Sequence, residues 1–143
     1  MILDLSEYNG TILWLGILLG IILLQWLVAS YSKASQPGAI PGLPPRDAGH
    51  NYFTFRAWRT HQNTLENAGT MIGGAIFAVL AGANPQWLQG LMAIMVVSRI
   101  AHMVLYYGIA TNKNPSPRSY FFMLSWFANV AIIILGISAV VSS

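Results

Sequence analysis

The chain has 143 residues, of which 55% are hydrophobic and only 8% charged; an ordinary soluble domain is about 25% charged, so a soluble fold of this size is excluded. The net charge is +3, but each basic residue sits where membrane topology would put it, and nucleic acid is not expected as a partner. The absence of cysteine excludes disulfides, thiolate metal sites and a protein-borne sulfur nucleophile, so any sulfur chemistry must draw on a co-substrate.

The first ten residues, MILDLSEYNG, lack the basic flank and small-residue cleavage site of a signal peptide, so the apolar stretch after them is expected to stay attached as a membrane helix. Residues 11–30 carry no charge and cover about 30 Å at 1.5 Å per residue, the thickness of a hydrocarbon core. The next segment, SKASQPGAIPGLPPRDAGHN, cannot be helical through its prolines and reads as an extramembranous loop. A second helix is expected over 53–82, ended by GANPQ. A third follows over 86–110, then the loop TNKNPSP, then a last span over 119–141. The expected fold is a single all-α integral membrane domain over 1–143, a bundle of four transmembrane helices.

Lys33, Arg46, Arg56 and Arg59 lie in or beside the first loop, and Lys113 and Arg118 in or beside the third. The second loop has no Lys or Arg, and the amino-terminal tail carries only Asp4 and Glu7. The positive-inside rule then puts loops one and three in the cytoplasm and both termini outside, in a bacterial inner membrane.

The second helix holds charges where lipid would be expected. Arg56, Arg59, Asn63, Glu66 and Thr70 recur every three or four residues and so share one helix face. A charge inside a membrane helix costs at least ~2.5–3.5 kcal/mol, so it faces protein or water and serves a purpose. On the third helix Arg99, His102 and Tyr106 share a face. Counted from the second loop, Glu66, Arg99 and His102 reach the same depth, near the cytoplasmic interface. A Glu66–Arg99 ion pair is the simplest way to bury both charges, either as a lock on the bundle or as part of a site. Arg56 and Arg59 read either as topology anchors or as clamps for an anionic ligand, with Asn63 offering a donor and an acceptor to a peptide-like molecule. His50, His61 and His102 have no metal-ligand spacing. Trp14, Trp26 and Trp87 fall near span ends as interfacial residues. The GxxxG pairs Gly16/Gly20 and Gly69/Gly73 predict close helix packing.

The run RAWRTHQNTLEN (residues 56–67) resembles the second-helix signature of the membrane-associated eicosanoid and glutathione metabolism family, MAPEG. Its members include microsomal glutathione transferases and the leukotriene and prostaglandin E synthases. SRIAHMVLYYG (residues 98–108) resembles the family's Arg-x-x-His-x-x-x-Tyr pattern, and Arg118 matches the arginine that opens its fourth helix. The resemblance implies a homotrimer with glutathione as co-substrate between neighbouring protomers near the cytoplasmic face. Arg59, His61, Asn63 and Glu66 would hold the tripeptide, Arg99 and Tyr106 would help from the next helix, and Arg118 would stabilise the thiolate. Gln62 stands where prostaglandin-type members have another arginine, Asn67 replaces an aromatic or threonine, and Phe122 stands where the prostaglandin-type enzyme has a tyrosine.

The function so implied is that of a glutathione-dependent membrane transferase or peroxidase, taking a small lipophilic electrophile from the bilayer. The alternative is a catalytically silent protein of the same fold, a structural subunit or lipid-binding partner. A transporter is a weaker reading, because a polar patch at one interface does not make a path across the membrane.

Overall fold

The computed structural model describes residues 4–142; residues 1–3 of the amino-terminal tail and residue 143 lie outside the described residues. The chain is all-helical. A short 3-10 turn over Leu5–Tyr8 leads into α1 (Asn9–Ala34), followed by α2 (Phe53–Leu80), α3 (Pro85–Gly108) and α4 (Pro117–Ser142).

The punctuation is chemical. The prolines that begin at Pro37 keep the first loop out of a helix. The α2–α3 turn closes through Gly82, whose φ of +69° suits glycine. There Ala83 N–H donates to the Ala78 carbonyl at 3.0 Å, and the Asn84 side chain caps α3 by accepting from the N–H groups of Gln86 and Trp87, both at 3.1 Å. Pro85 and Pro117 each sit in the first turn of a helix, where no hydrogen bond is lost.

The most extensive pairing joins α3 to α4, followed by that of α1 with α2; α1 and α4 each pack on both α2 and α3. The central pair therefore has α1 on one side and α4 on the other. The core runs along it through Leu18, Met71, Ala75, Leu88, Met92, Met95, Val96 and Ile132. At one end the Tyr8 hydroxyl donates to the Ala83 carbonyl at 2.7 Å, pinning the start of α1 to the α2–α3 turn. At the other end Ser32 and Thr54 share a hydrogen bond of 2.7 Å, tying the exit of α1 to the entry of α2.

Three helical stretches, Leu5–Ala34, Pro85–Gly108 and Pro117–Ser142, are long and apolar enough to cross a membrane. The expectation of four such stretches needs correction, because the amino-terminal half of α2 is too polar to qualify. Its 28 residues nevertheless measure about 42 Å. Its end joins the start of α3 through the short turn, and Arg56 near its start reaches the Tyr107 carbonyl at the end of α3. Thus α2 is coextensive with a membrane-length helix even though its composition alone would not reveal it.

The glycines that let helices approach are not those of the two GxxxG pairs. A Cβ at Gly16, Gly20, Gly69 or Gly73 would meet nothing within 4 Å, so all four face outward from the protomer. A close approach that reaches a neighbouring backbone is at Gly136, where a Cβ would come within 2.7 Å of the Phe77 ring and 3.1 Å of the Ala78 Cα. Gly136→Val is expected to lower stability by roughly 1–3 kcal/mol through overpacking of α4 on α2, whereas Gly16→Val is tolerated. Thermal unfolding of the detergent-solubilised variants checks this; equal midpoints for the two would refute the packing argument.

Candidate functional site

The end of the bundle that carries the first and third loops gathers the ionisable side chains of three helices. Arg59 and Asn63 from α2, His102 and Tyr106 from α3, and Arg118, Ser119 and Phe122 from α4 line a cavity of about 350 Å³, completed by His50 and Phe55. Two arginines and no carboxylate line this wall; Arg59 is paired outside it with Glu66, so Arg118 is the cation left to favour an anion.

Tyr106 is its hub. The Arg118 guanidinium carbon lies 4.0 Å from the Tyr106 ring centroid, a cation–π distance. The His102 ring meets the same tyrosine edge-on at 5.6 Å. His50 Nδ1 stands 3.3 Å from the Tyr106 hydroxyl, and His50 Nε2 stands 3.5 Å from Nη2 of Arg118. Burial holds the His50 imidazole below its ordinary pKa, and the Arg118 and Arg56 cations push it the same way. Arg118 Nη1 is buried with no hydrogen-bond partner among the described residues.

His50 reaches the cavity because Arg56 holds its backbone. Nη1 of Arg56 donates to the carbonyls of His50 and Asn51 at 2.7 and 3.2 Å, and its Nη2 donates to the Tyr107 carbonyl at 3.1 Å. The sequence places Arg56 on the polar stripe, as an anchor or a clamp. It is instead a buried staple between the loop and α3, turned inward from that stripe.

The Glu66–Arg99 ion pair expected from depth does not form. Glu66 pairs with Arg59, at 2.6 and 3.3 Å between the two guanidinium nitrogens and the two carboxylate oxygens. The two are seven residues apart, two turns along one face, and helical side chains lean toward the amino terminus, which brings Glu66 back to Arg59. That face is outward, with side-chain exposures of 36% for Arg59 and 54% for Glu66. Arg99 points the other way and is only 1% exposed. Its Nη2 donates to Asn63 Oδ1 and Thr64 Oγ1, both at 3.0 Å. It sits beneath the main cavity, beside Asn67, Phe122, Ser125 and Asn129.

His61 belongs to a different place. Positions two apart lie about 200° around a helix, so His61 faces away from Arg59 and Asn63. It lines a cavity of about 500 Å³ between α1, the first loop and α2, together with Trp26, Lys33, Trp58 and Gln62. Lys33 is held there by donating to the Leu43 carbonyl.

Of the residues singled out from the sequence, the main cavity unites Arg59, Asn63, His102, Tyr106 and Arg118. Glu66 touches it only through Arg59, Arg99 lies below, and His61 lies on the far face. His50, Lys33 and Ser119 entered through the fold. The only sequence signal for His50 was its position in a loop that leads directly into the polar helix, loops being where site residues concentrate.

An all-helical bundle with three membrane-length apolar helices defines an integral membrane protein, here with a cavity lined by arginines at one end. The chain belongs to the MAPEG family: the model of that family matches residues 11–138, nearly its whole length. Comparisons with curated proteins and with solved structures give no match. At family level the membership supports a membrane function in glutathione or eicosanoid metabolism, and the family generally uses glutathione.

Proposed function

We propose that the protein is a glutathione-dependent membrane transferase or peroxidase acting on lipophilic electrophiles. The observation that carries this reading is the cavity shared by Arg59, Asn63, Tyr106 and Arg118 without a carboxylate of its own. Glutathione brings a carboxylate for the Arg59 guanidinium, amides for Asn63 and a thiol for the chain that has none. Glu66, already on Arg59, offers a partner to the tripeptide's ammonium. With the thiol near Arg118, its proton leaves to water in the open cavity and the thiolate is stabilised by the cation. The electrophile would enter laterally from the bilayer.

The same reading includes a homotrimer with a site built between protomers. Arg59 and Glu66 lie on an outward face of a helix coextensive with a membrane span, and lipid cannot solvate them. His61 and Lys33 lie on the opposite face of the same protomer. A neighbouring copy is the one source that would bring a His61 to the Arg59 side. Such a head-to-tail contact closes into a ring, three being the number that family membership implies. The first and third loops would be cytoplasmic, with both termini outside.

Glutathione titrated into the detergent-solubilised oligomer tests the reading. Saturable binding is expected, and Arg59→Ala and Glu66→Gln should each weaken it by about tenfold to a hundredfold, the worth of one charge-assisted hydrogen bond. Folded, oligomeric wild type that gives no saturable binding at millimolar glutathione would instead favour the catalytically silent family member.

A further inference from the structure

The His50 ring is the one side chain of the main cavity supplied by the first loop, and its two nitrogens meet two different helices. Nε2 faces Arg118 of α4 at 3.5 Å, and Nδ1 faces the Tyr106 hydroxyl of α3 at 3.3 Å. An arginine only donates, so Nε2 must present its lone pair. The neutral ring then carries its proton on Nδ1 and donates it to the Tyr106 oxygen. With its oxygen so engaged, the Tyr106 hydroxyl is left to donate its own proton into the cavity, beside a guanidinium that stacks 4.0 Å above the tyrosine ring.

We propose that His50 is a positioning residue of this site: as a neutral imidazole it orders the Arg118 guanidinium and the Tyr106 hydroxyl as paired donors toward the ligand's sulfur, and protonation in acid undoes the arrangement. The inference rests on the glutathione reading and adds the regulation of that site. An imidazolium has no lone pair for Arg118 and adds a cation beside it. The charged and titratable groups around the ring are Arg118 from α4, Tyr106 and His102 from α3, and Arg56 and Arg59 from α2, with no carboxylate among the cavity's lining. Nothing in this surround compensates a charge on His50. Burial and the same cations hold its pKa below the ordinary 6.5; the imidazole is therefore neutral at physiological pH, and the switch operates only as the pH falls into the acid range. The backbone staple from Arg56 fixes the ring's approach, so the loop cannot simply carry His50 away.

The test uses the full-length protein in detergent and has two arms. Without ligand, imidazole nitrogen NMR, assigned by the signal lost in His50→Gln, should show the Nδ1–H tautomer, with a titration midpoint that rises in Arg118→Ala. An Nε2–H ring whose midpoint ignores Arg118 overturns the bridge whether or not glutathione binds. With saturating glutathione, the thiolate absorbance is followed from pH 8 to 5. In wild type the logarithm of the thiolate fraction should fall with a slope that steepens from one proton toward two as His50 titrates. His50→Gln, whose amide can still accept from Arg118 and donate to Tyr106 but cannot titrate, should recover the neutral-pH thiolate to within about threefold and keep a slope of one. His50→Ala should lower the thiolate fraction about tenfold at neutral pH and converge with wild type in acid, where wild type has itself lost the arrangement. Identical profiles for wild type, His50→Gln and His50→Ala refute the positioning role. Wild type that binds no glutathione sinks the functional reading and the sulfur-facing role together, while the ligand-free arm still decides whether the bridge exists.

Discussion

Arg118→Ala is expected to leave glutathione binding within about threefold of wild type while lowering turnover by about a hundredfold or more. The split follows from where the charges stand. Arg59 and Asn63 approach the cavity from α2, whereas Arg118 enters at the start of α4 and lies against Tyr106. A free thiol has a pKa near ~8.5 and is mostly protonated at neutral pH. A guanidinium in a partly desolvated site favours the anion, and removing one such stabilising donor at a reacting atom costs about a hundredfold to a thousandfold in other enzymes. Nη1 of Arg118 is buried with no partner among the described residues, so removing the side chain breaks no protein hydrogen bond at that nitrogen. Arg118→Lys keeps the charge without the planar fork and should restore part of the thiolate. Calorimetry gives the binding and stopped-flow absorbance the thiolate. A variant that loses binding in proportion to turnover would make Arg118 a gripping residue instead, and one that turns over normally would remove it from the chemistry.

Complementation between damaged protomers has the second large effect. Arg59→Ala oligomers lose one wall of the proposed site, and oligomers carrying Lys33→Ala with His61→Ala lose the other. The first is expected to fall by about tenfold to a hundredfold in glutathione-dependent turnover, for one charge-assisted contact, and the second by about a hundredfold, two lost contacts being worth roughly 3 kcal/mol. Co-expressed in equal amounts, they should regain activity. In a head-to-tail ring roughly a quarter of the interfaces then pair an intact Arg59 face with an intact His61 face. The prediction has force because the two faces lie about 200° apart around α2 and cannot meet within one protomer. Mixed oligomers, separated by two affinity tags, that stay as inactive as either parent would show that the His61 face takes no part. Activity proportional to a monomer that has shed its partners would remove the ring.

How far the site was legible before the fold can be followed residue by residue. The spacing that put Arg59, Asn63 and Glu66 on one face, and Arg99, His102 and Tyr106 on another, is local, and an α-helix enforces it whatever surrounds it. The prolines of the first loop and the GANPQ turn marked where the helices end for the same local reason. The family motif lies within two such helices, which is why it could be read directly. Partners across helices were not local. Depth alone paired Glu66 with Arg99, but depth does not give the direction in which a side chain points: Glu66 turns outward to Arg59 while Arg99 turns inward to Asn63 and Thr64. His50 reached Tyr106 and Arg118 across 56 and 68 residues of sequence, through a staple made by a different residue.

The sequence by itself determined that the chain is helical and membrane-embedded, the order of its helices and turns, the family to which it belongs and which polar residues share a helix face. Only the tertiary structure decided which faces turn inward, that the GxxxG glycines look outward while Gly136 makes the tight crossing, and that His61 and Arg59 serve different cavities. The physical reason is the solvent. In water an apolar stripe points to the core, and periodicity reveals the fold; in a bilayer the lipid is as apolar as the core, so the stripe no longer says which side is in. Packing and the pairing of a few polar groups make that choice, and both are properties of residues far apart in the chain.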